Sequence, residues 1–389
     1  MRAARLLRIS LAALGLSLFA SKAPAAVRST HLLLDHEALL RARSFSGAVS
    51  SLPSGPLSVV EAPFAFTAVA ALMNPGSDGA LFVRTSADGK AWSAESLLPD
   101  DESNQGLDER GHAHPFALDR VSALHFPRRE RGGNPRFLAF GFRDATNPPS
   151  RVAFHFIDAG LSPEPPARSQ AIKRAPAADA PQPGAHPLKP ALVLRHQWGA
   201  RPPKYAYTLT VADHLAVHHT AGVGDGLAAT TDECAAQARA IQVFHQDSRG
   251  WNDVGYSYLI CGTGEVFQAR EDDDDMTDVW GAHDGFNRGS MSVSLMGYFH
   301  PPYNQPPTRA MLDSLVRTLA WMAAIRGVDP RGESLYEAFG EVRTNIYGHR
   351  EVRATECPGD TIFAMKDTLR SAVAETLELF RSPASPGSR

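Results

Sequence analysis

No segment restricts the possible folds more than residues 161–191, where Pro163, Pro165, Pro166, Pro176, Pro181, Pro183, Pro187 and Pro190 stand among alanines and polar residues. Proline fixes φ and removes a backbone donor, so this run favours extended conformers and holds too little apolar surface to order itself. It predicts a linker with a separate domain on either side. The length of 389 residues agrees, being more than one core usually serves. The net charge is only -3, with no concentrated basic face, which excludes nucleic acid as the expected partner.

Residues 1–26 read as a secretory signal. Arg2, Arg5 and Arg8 precede an apolar run from Ile9 to Ala20, and Ala23-Pro24-Ala25 offers a small-residue cleavage site. The run is short for a membrane span, and no later segment approaches that length. The expectation is an exported chain, periplasmic or extracellular, without an integral membrane segment after cleavage. Disulfides persist outside the cytoplasm, so the three cysteines, Cys234, Cys261 and Cys357, are read in that light.

Residues 27–160 read as β structure. Apolar segments recur at Leu57 to Ala62, Phe64 to Leu72, Ala80 to Thr85, Ala91 to Leu98, Arg120 to Phe126, Arg136 to Phe142 and Arg151 to Ile157. Turn-forming clusters such as Asn74-Pro75-Gly76 and Ala87-Asp88-Gly89 separate them. Seven short strands without a helical stripe predict an all-β, sandwich-like accessory domain.

Residues 192–382 have an α/β texture, followed by a short polar tail at 383–389. Leu215 to Val217 form a strand that ends at His218, and Thr231 or Asp232 caps a helix running to Arg249-Gly250. Two strands flank the turn Gly262-Thr263-Gly264, and Met291 to Met296 form another. A helix follows Pro307-Thr308 and stops at Gly327, and a last helix covers about Thr361 to Phe380. Helices long enough to cover both faces of a sheet predict a three-layer α/β domain.

Chemistry concentrates in Gly348-His349-Arg350-Glu351-Val352-Arg353-Ala354-Thr355-Glu356-Cys357-Pro358-Gly359. Imidazole and thiolate are favoured zinc ligands, and a third donor from elsewhere leaves one coordination position open. The adjacent pair His218-His219 is the best source of that donor. Successive strand residues face opposite ways, so only one of the two is expected to share an ion with Cys357.

The blocks His218-His219-Thr220-Ala221, Gly250-Trp251-Asn252-Asp253-Val254-Gly255-Tyr256, Gly281-Ala282-His283 with Asn287, and Gly348-His349 with Thr355-Glu356-Cys357-Pro358-Gly359 occur in one order. In that order they resemble peptidoglycan recognition proteins and the related zinc amidases. The resemblance covers roughly residues 192–380. It implies one Zn2+ ion held by His218, His349 and Cys357, with Tyr256 and Thr355 as catalytic residues and His283 and Asn287 lining a substrate groove. It further implies hydrolysis of the amide between N-acetylmuramic acid and L-alanine in peptidoglycan or a muropeptide. His245 and Trp251 fit the pattern as packing residues around the site.

Two departures stand out. Glu271-Asp272-Asp273-Asp274-Asp275-Met276 occupies the place where relatives carry a glycine-tryptophan pair touching the third stem residue. A solvated loop, a calcium site and a preference for a basic stem residue are the readings of that run. The family's short-range disulfide is incomplete, and Cys234 with Cys261 is the remaining candidate pair; two buried thiols are the other reading. Some relatives bind without cleaving, so a non-catalytic receptor and a zinc peptidase acting within the stem are the alternatives to an amidase.

Overall fold

The computed structural model describes residues 27–35, 37–39, 58–101, 119–127, 133–160, 186–224, 226–270 and 286–381. The predicted signal, most of the linker, the aspartate run and the tail lie outside them. So does His283.

The N-terminal half is built from β1 (Arg28–Leu34), β2 (Ser58–Glu61), β3 (Ala68–Met73), β4 (Ala80–Ser86), β5 (Ser96–Leu98), β6 (Arg120–Val121), β7 (His125–Phe126), β8 (Phe137–Arg143) and β9 (Val152–Asp158). Strand β1 was not expected. Its alternation is blunted because residues 29–33 are all partly covered or exposed, and its pairing with β9 rather than a buried face defines it. One sheet runs β2-β8-β4-β5 and the other begins β1-β9-β3-β7, with β6 on β3. Val60, Val83, Leu138 and Phe140 of the first sheet share a core with Val69, Met73, Phe154 and Phe156 of the second.

The C-terminal half contributes β10 (Leu192–Val193), β11 (His214–His219), β12 (Val223–Gly224), β13 (Tyr258–Ile260), β14 (Val266–Gln268), β15 (Ser290–Leu295), β16 (Glu333–Tyr336), β17 (Glu341–Thr344) and β18 (Ile346–Gly348). Its helices are α1 (Arg195–Trp198), α2 (Thr231–Asp247), α3 (Arg309–Arg326), α4 (Asp360–Phe363) and α5 (Lys366–Arg381). The central sheet has the order β10-β14-β13-β15-β11-β18 and is mixed, with β13 and β14 antiparallel and β11 parallel to both neighbours. One face buries Leu215, Val217, Val293 and Leu295 against Leu315, Leu319 and Met322 of α3 and Leu369 and Val373 of α5. The other face meets α2 through Leu259 and Phe267.

Helix ends follow local chemistry with small shifts from expectation. The cap of α2 is Thr230, ahead of the expected Thr231 or Asp232, because Glu233 three positions later completes a capping box. Thr308 caps α3, and Gly327 at φ 68° ends it in the left-handed region. The expected last helix is two helices: Met365 N–H donates to Ile362 O, a three-residue spacing that breaks the α register between α4 and α5. Residues 186–191, the end of the predicted linker, are docked. Leu188 is buried against α3, and Arg317 donates to its carbonyl at 3.2 Å.

The two halves share structure. Strand β12 leaves the central sheet just after His219 and pairs in parallel with β7, so the chain that carries the histidine pair runs directly into the N-terminal sheet. Ala68, Ala70, Leu72, Ala153 and Ile157 of that sheet pack into the same cluster as Ala235, Ala238, Ile241 and Phe244 of α2. Helix α2 is therefore covered on two sides. Its Arg239 is buried and donates to the carbonyls of Ala159 at 2.5 Å and Trp198 at 2.6 Å, satisfying the end of β9.

Candidate metal centre

His218, His349 and Cys357 converge from three different places. His218 sits at the end of β11, and pairing of that strand with β18 brings Gly348 alongside Val217, one residue before His349. A short 3-10 turn over His349–Glu351 then swings the second imidazole inward, its first turn closed by Glu351, which accepts the Gly348 N–H at 2.8 Å. Gly348 leaves room for the third donor: a Cβ there would lie 3.0 Å from Pro358. Arg350 N–H donates to Cys357 O at 3.0 Å, tying the cysteine loop to the residue after His349.

The donor atoms of all three lie within 4.8 Å of one another, and each residue is buried. Cys357 Sγ is 3.4 Å from His218 Nδ1. Zinc–nitrogen bonds of about 2.0 Å and zinc–sulfur bonds of about 2.3 Å put tetrahedral ligand atoms about 3.3–3.6 Å apart. The donor types fit a zinc ion, and the separation of Cys357 Sγ from His218 Nδ1 matches that spacing.

The neighbouring groups are placed by backbone contacts. His219 faces away from the cluster, as strand alternation requires, and its Nδ1 accepts Phe299 N–H at 3.3 Å. Its own N–H points at Cys357 Sγ, 3.4 Å away. Burial lowers its pKa to about 3, and does the same for His245. His245 Nδ1 accepts the Gly255 N–H at 3.0 Å and its ring lies 4.5 Å from Trp251, so both residues support the approach to Tyr256. The Tyr256 ring is 5.3 Å from the His218 ring, and its hydroxyl donates to His219 O at 3.4 Å. Burial, then the Cys357 sulfur, pushes the phenol well above its usual range, so it stays protonated. Thr355 Oγ1 accepts the Cys357 N–H at 3.2 Å.

Residues 208–360 match the family model described as N-acetylmuramoyl-L-alanine amidase. Peptidoglycan-recognition protein SC2 of Drosophila simulans is 32% identical over 174 residues, 44% of this chain and 82% of that protein. The chain belongs to the peptidoglycan recognition protein and type 2 amidase family. Human N-acetylmuramoyl-L-alanine amidase is 32% identical over 188 residues, 47% of this chain and 28% of the human protein. Among solved structures, wild-type Drosophila PGRP-LB aligns at 32% identity with a TM-score of 0.36, covering 45% of this chain and 91% of that one.

Within this amidase-family half, Asn287 lies just before β15, at the end of the sheet where Ser290 pairs with His214. Its carbonyl accepts the Ser290 hydroxyl at 3.1 Å and so closes the turn into β15. Cys234 and Cys261 are joined in a disulfide that ties the start of α2 to the end of β13. Sequence reasoning passed over Tyr298, Phe299 and His300, which lie against the cysteine loop. Their only signal was an aromatic run after an apolar strand.

Proposed function

We propose that this chain is an exported zinc-dependent N-acetylmuramoyl-L-alanine amidase, acting on peptidoglycan or a muropeptide, with His218, His349 and Cys357 as ligands of one zinc ion. The observation that carries this reading is the convergence of two imidazoles and a thiol, distant in sequence, at ligand spacing. When bound, zinc supplies a Lewis acid that polarises the scissile carbonyl and acidifies water at neutral pH. Charge then develops on the carbonyl oxygen, and the Tyr256 phenol, protonated and beside the His218 ring, would turn from His219 O to donate to it. Thr355, a poor base at neutral pH, acts through its hydroxyl on the Cys357 backbone and on substrate orientation. The bond broken joins the lactyl group of N-acetylmuramic acid to L-alanine, which frees the stem peptide.

Export rests on the basic-apolar-small pattern of residues 1–26. Among the described residues no helix is long and apolar enough to cross a membrane. The N-terminal half is read as a β-sandwich, supported by the core shared between its two sheets, and as an accessory to the amidase half.

Mass spectrometry of products from purified sacculi tests the reading. Intact lactyl-muramic acid together with peptides starting in free L-alanine is expected, lost on chelation and in Cys357→Ala. Tight binding with no peptide release would replace the amidase by a receptor, and cleavage inside the stem would replace it by a peptidase.

A further inference from the structure

The segment Tyr298-Phe299-His300 follows β15 and runs between the end of β11 and the loop that carries Cys357. Phe299 N–H donates to His219 Nδ1 at 3.3 Å, and Phe299 O accepts the Thr361 N–H at 3.1 Å. Gly359 lies so close that an added Cβ would meet the Phe299 backbone at 2.5 Å. His300 completes the grip. Its Nε2 is 2.9 Å from Glu356 Oε1, and its Nδ1 lies 3.1 Å from Asp360 Oδ1 as a close charge contact without hydrogen-bond geometry, so the ring sits between the two carboxylates that bracket Cys357-Pro358-Gly359.

Arg350 holds the same loop from the other ligand. Its Nη1 is 2.7 Å from Asp360 Oδ1, and its Nη2 donates to the Glu356 carbonyl. Since Arg350 follows His349 directly, Asp360 is shared between a cation beside one ligand and an imidazole on the Tyr298-Phe299-His300 segment. Glu356 and Asp360 are half-exposed, and such pairs are worth little as stabilising interactions. The His300 side chain is only 16% exposed. What the bridge controls is position: with both carboxylates fixed, the two residues between Cys357 and Asp360 have little freedom.

We propose that His300 is a positioning residue for the metal centre, bridging Glu356 and Asp360 so that the Cys357 sulfur is presented to His218 and His349. This rests on the reading of those three residues as a zinc site. Groups that orient a metal's ligands typically contribute 10–100-fold to its affinity.

The test uses the full chain, stripped of metal and reloaded. Zinc affinity from chelator competition is expected to fall about tenfold or more in His300→Ala, with the melting temperature of the metal-free protein unchanged. Loaded with cobalt(II), the wild type gives a sulfur-to-metal charge-transfer band, which weakens and shifts in His300→Ala and is largely restored in His300→Gln. Wild-type affinity and an unaltered band in His300→Ala would overturn the inference while leaving the zinc site standing. A wild type that takes up no zinc, or a Cys357→Ala variant that binds it equally well, would instead overturn the underlying reading. If His300→Ala does not fold, the double variant Glu356→Ala/Asp360→Ala removes both ends of the bridge from half-exposed positions, and undiminished zinc affinity there is equally fatal.

Discussion

Tyr256 touches the His218 ring and the His245 ring with its aromatic face and edge, yet only its hydroxyl can take part in chemistry. Tyr256→Phe keeps the packing and removes the donor. Loss of one donor to a developing oxyanion typically costs 10²–10³ in turnover. We therefore expect kcat on a muropeptide to fall by about that factor, with KM and zinc content near wild type; a loss of zinc would mean that the ring, not the hydroxyl, matters. At this scale much of the site was legible. Histidine and cysteine are rare and chemically committed, and Gly348 and Pro358-Gly359 around them mark a tight turn. His300 was not legible, because its carboxylate partners lie far downstream and meet it only through the pairing of β11 with both β15 and β18.

Among the elements, the loop from Cys357 to α4 depends on one backbone position. Gly359 has φ 89°, a region L side chains rarely adopt, and Phe299 backbone fills the space a Cβ would need. Neither obstacle can be relieved by a side-chain rotation. Gly359→Ala should cost about 1–3 kcal/mol, read as a lower urea midpoint, and should loosen the cysteine loop enough to weaken zinc binding. A variant with wild-type stability would show that the loop has another conformation open to it. Helix α2 illustrates what periodicity misses. A single apolar side is expected of a surface helix, and Ala235, Ala238, Ile241 and Phe244 supply one. Ala240, Val243, Arg239 and Gln246 are buried as well. The polar members of that set satisfy carbonyls of neighbouring segments, so polarity there marks a second interface instead of solvent.

Across the whole molecule, the proline-rich segment predicts two tethered bodies, whereas β7 pairs with β12 and α2 lies between the two halves. Composition reveals where a chain is unable to fold but says nothing about what the flanking parts do to each other. That joint contains histidines held neutral. His125, on β7 at the pairing with β12, has its pKa lowered to about 4 by burial, offset in part by a hydrogen bond with the Val223 backbone. His155, on β9, is lowered to about 3 by burial and then by the His31 ring stacked on it at 4.1 Å; its Nδ1 lies 2.5 Å from the hydroxyl of Ser248, just beyond α2. Both folded-state values lie below the 6.5 of an ordinary histidine. Their stabilising contribution is therefore complete above that value, and it is lost as pH falls from about 6.5 towards 4 and 3, where the unfolded chain takes up protons that the folded chain refuses. At pH 5 the loss is roughly 2 kcal/mol per histidine. Urea unfolding of metal-free protein, which removes proton competition at the zinc ligands, should give a free energy several kcal/mol smaller at pH 5 than at pH 7.5. His155→Gln, which keeps a polar partner for Ser248 but cannot titrate, should remove about half of the part these two residues contribute. Equal stability at the two pH values would mean that protons reach these rings in the folded state, and that the joint between the halves opens far more readily than its burial implies.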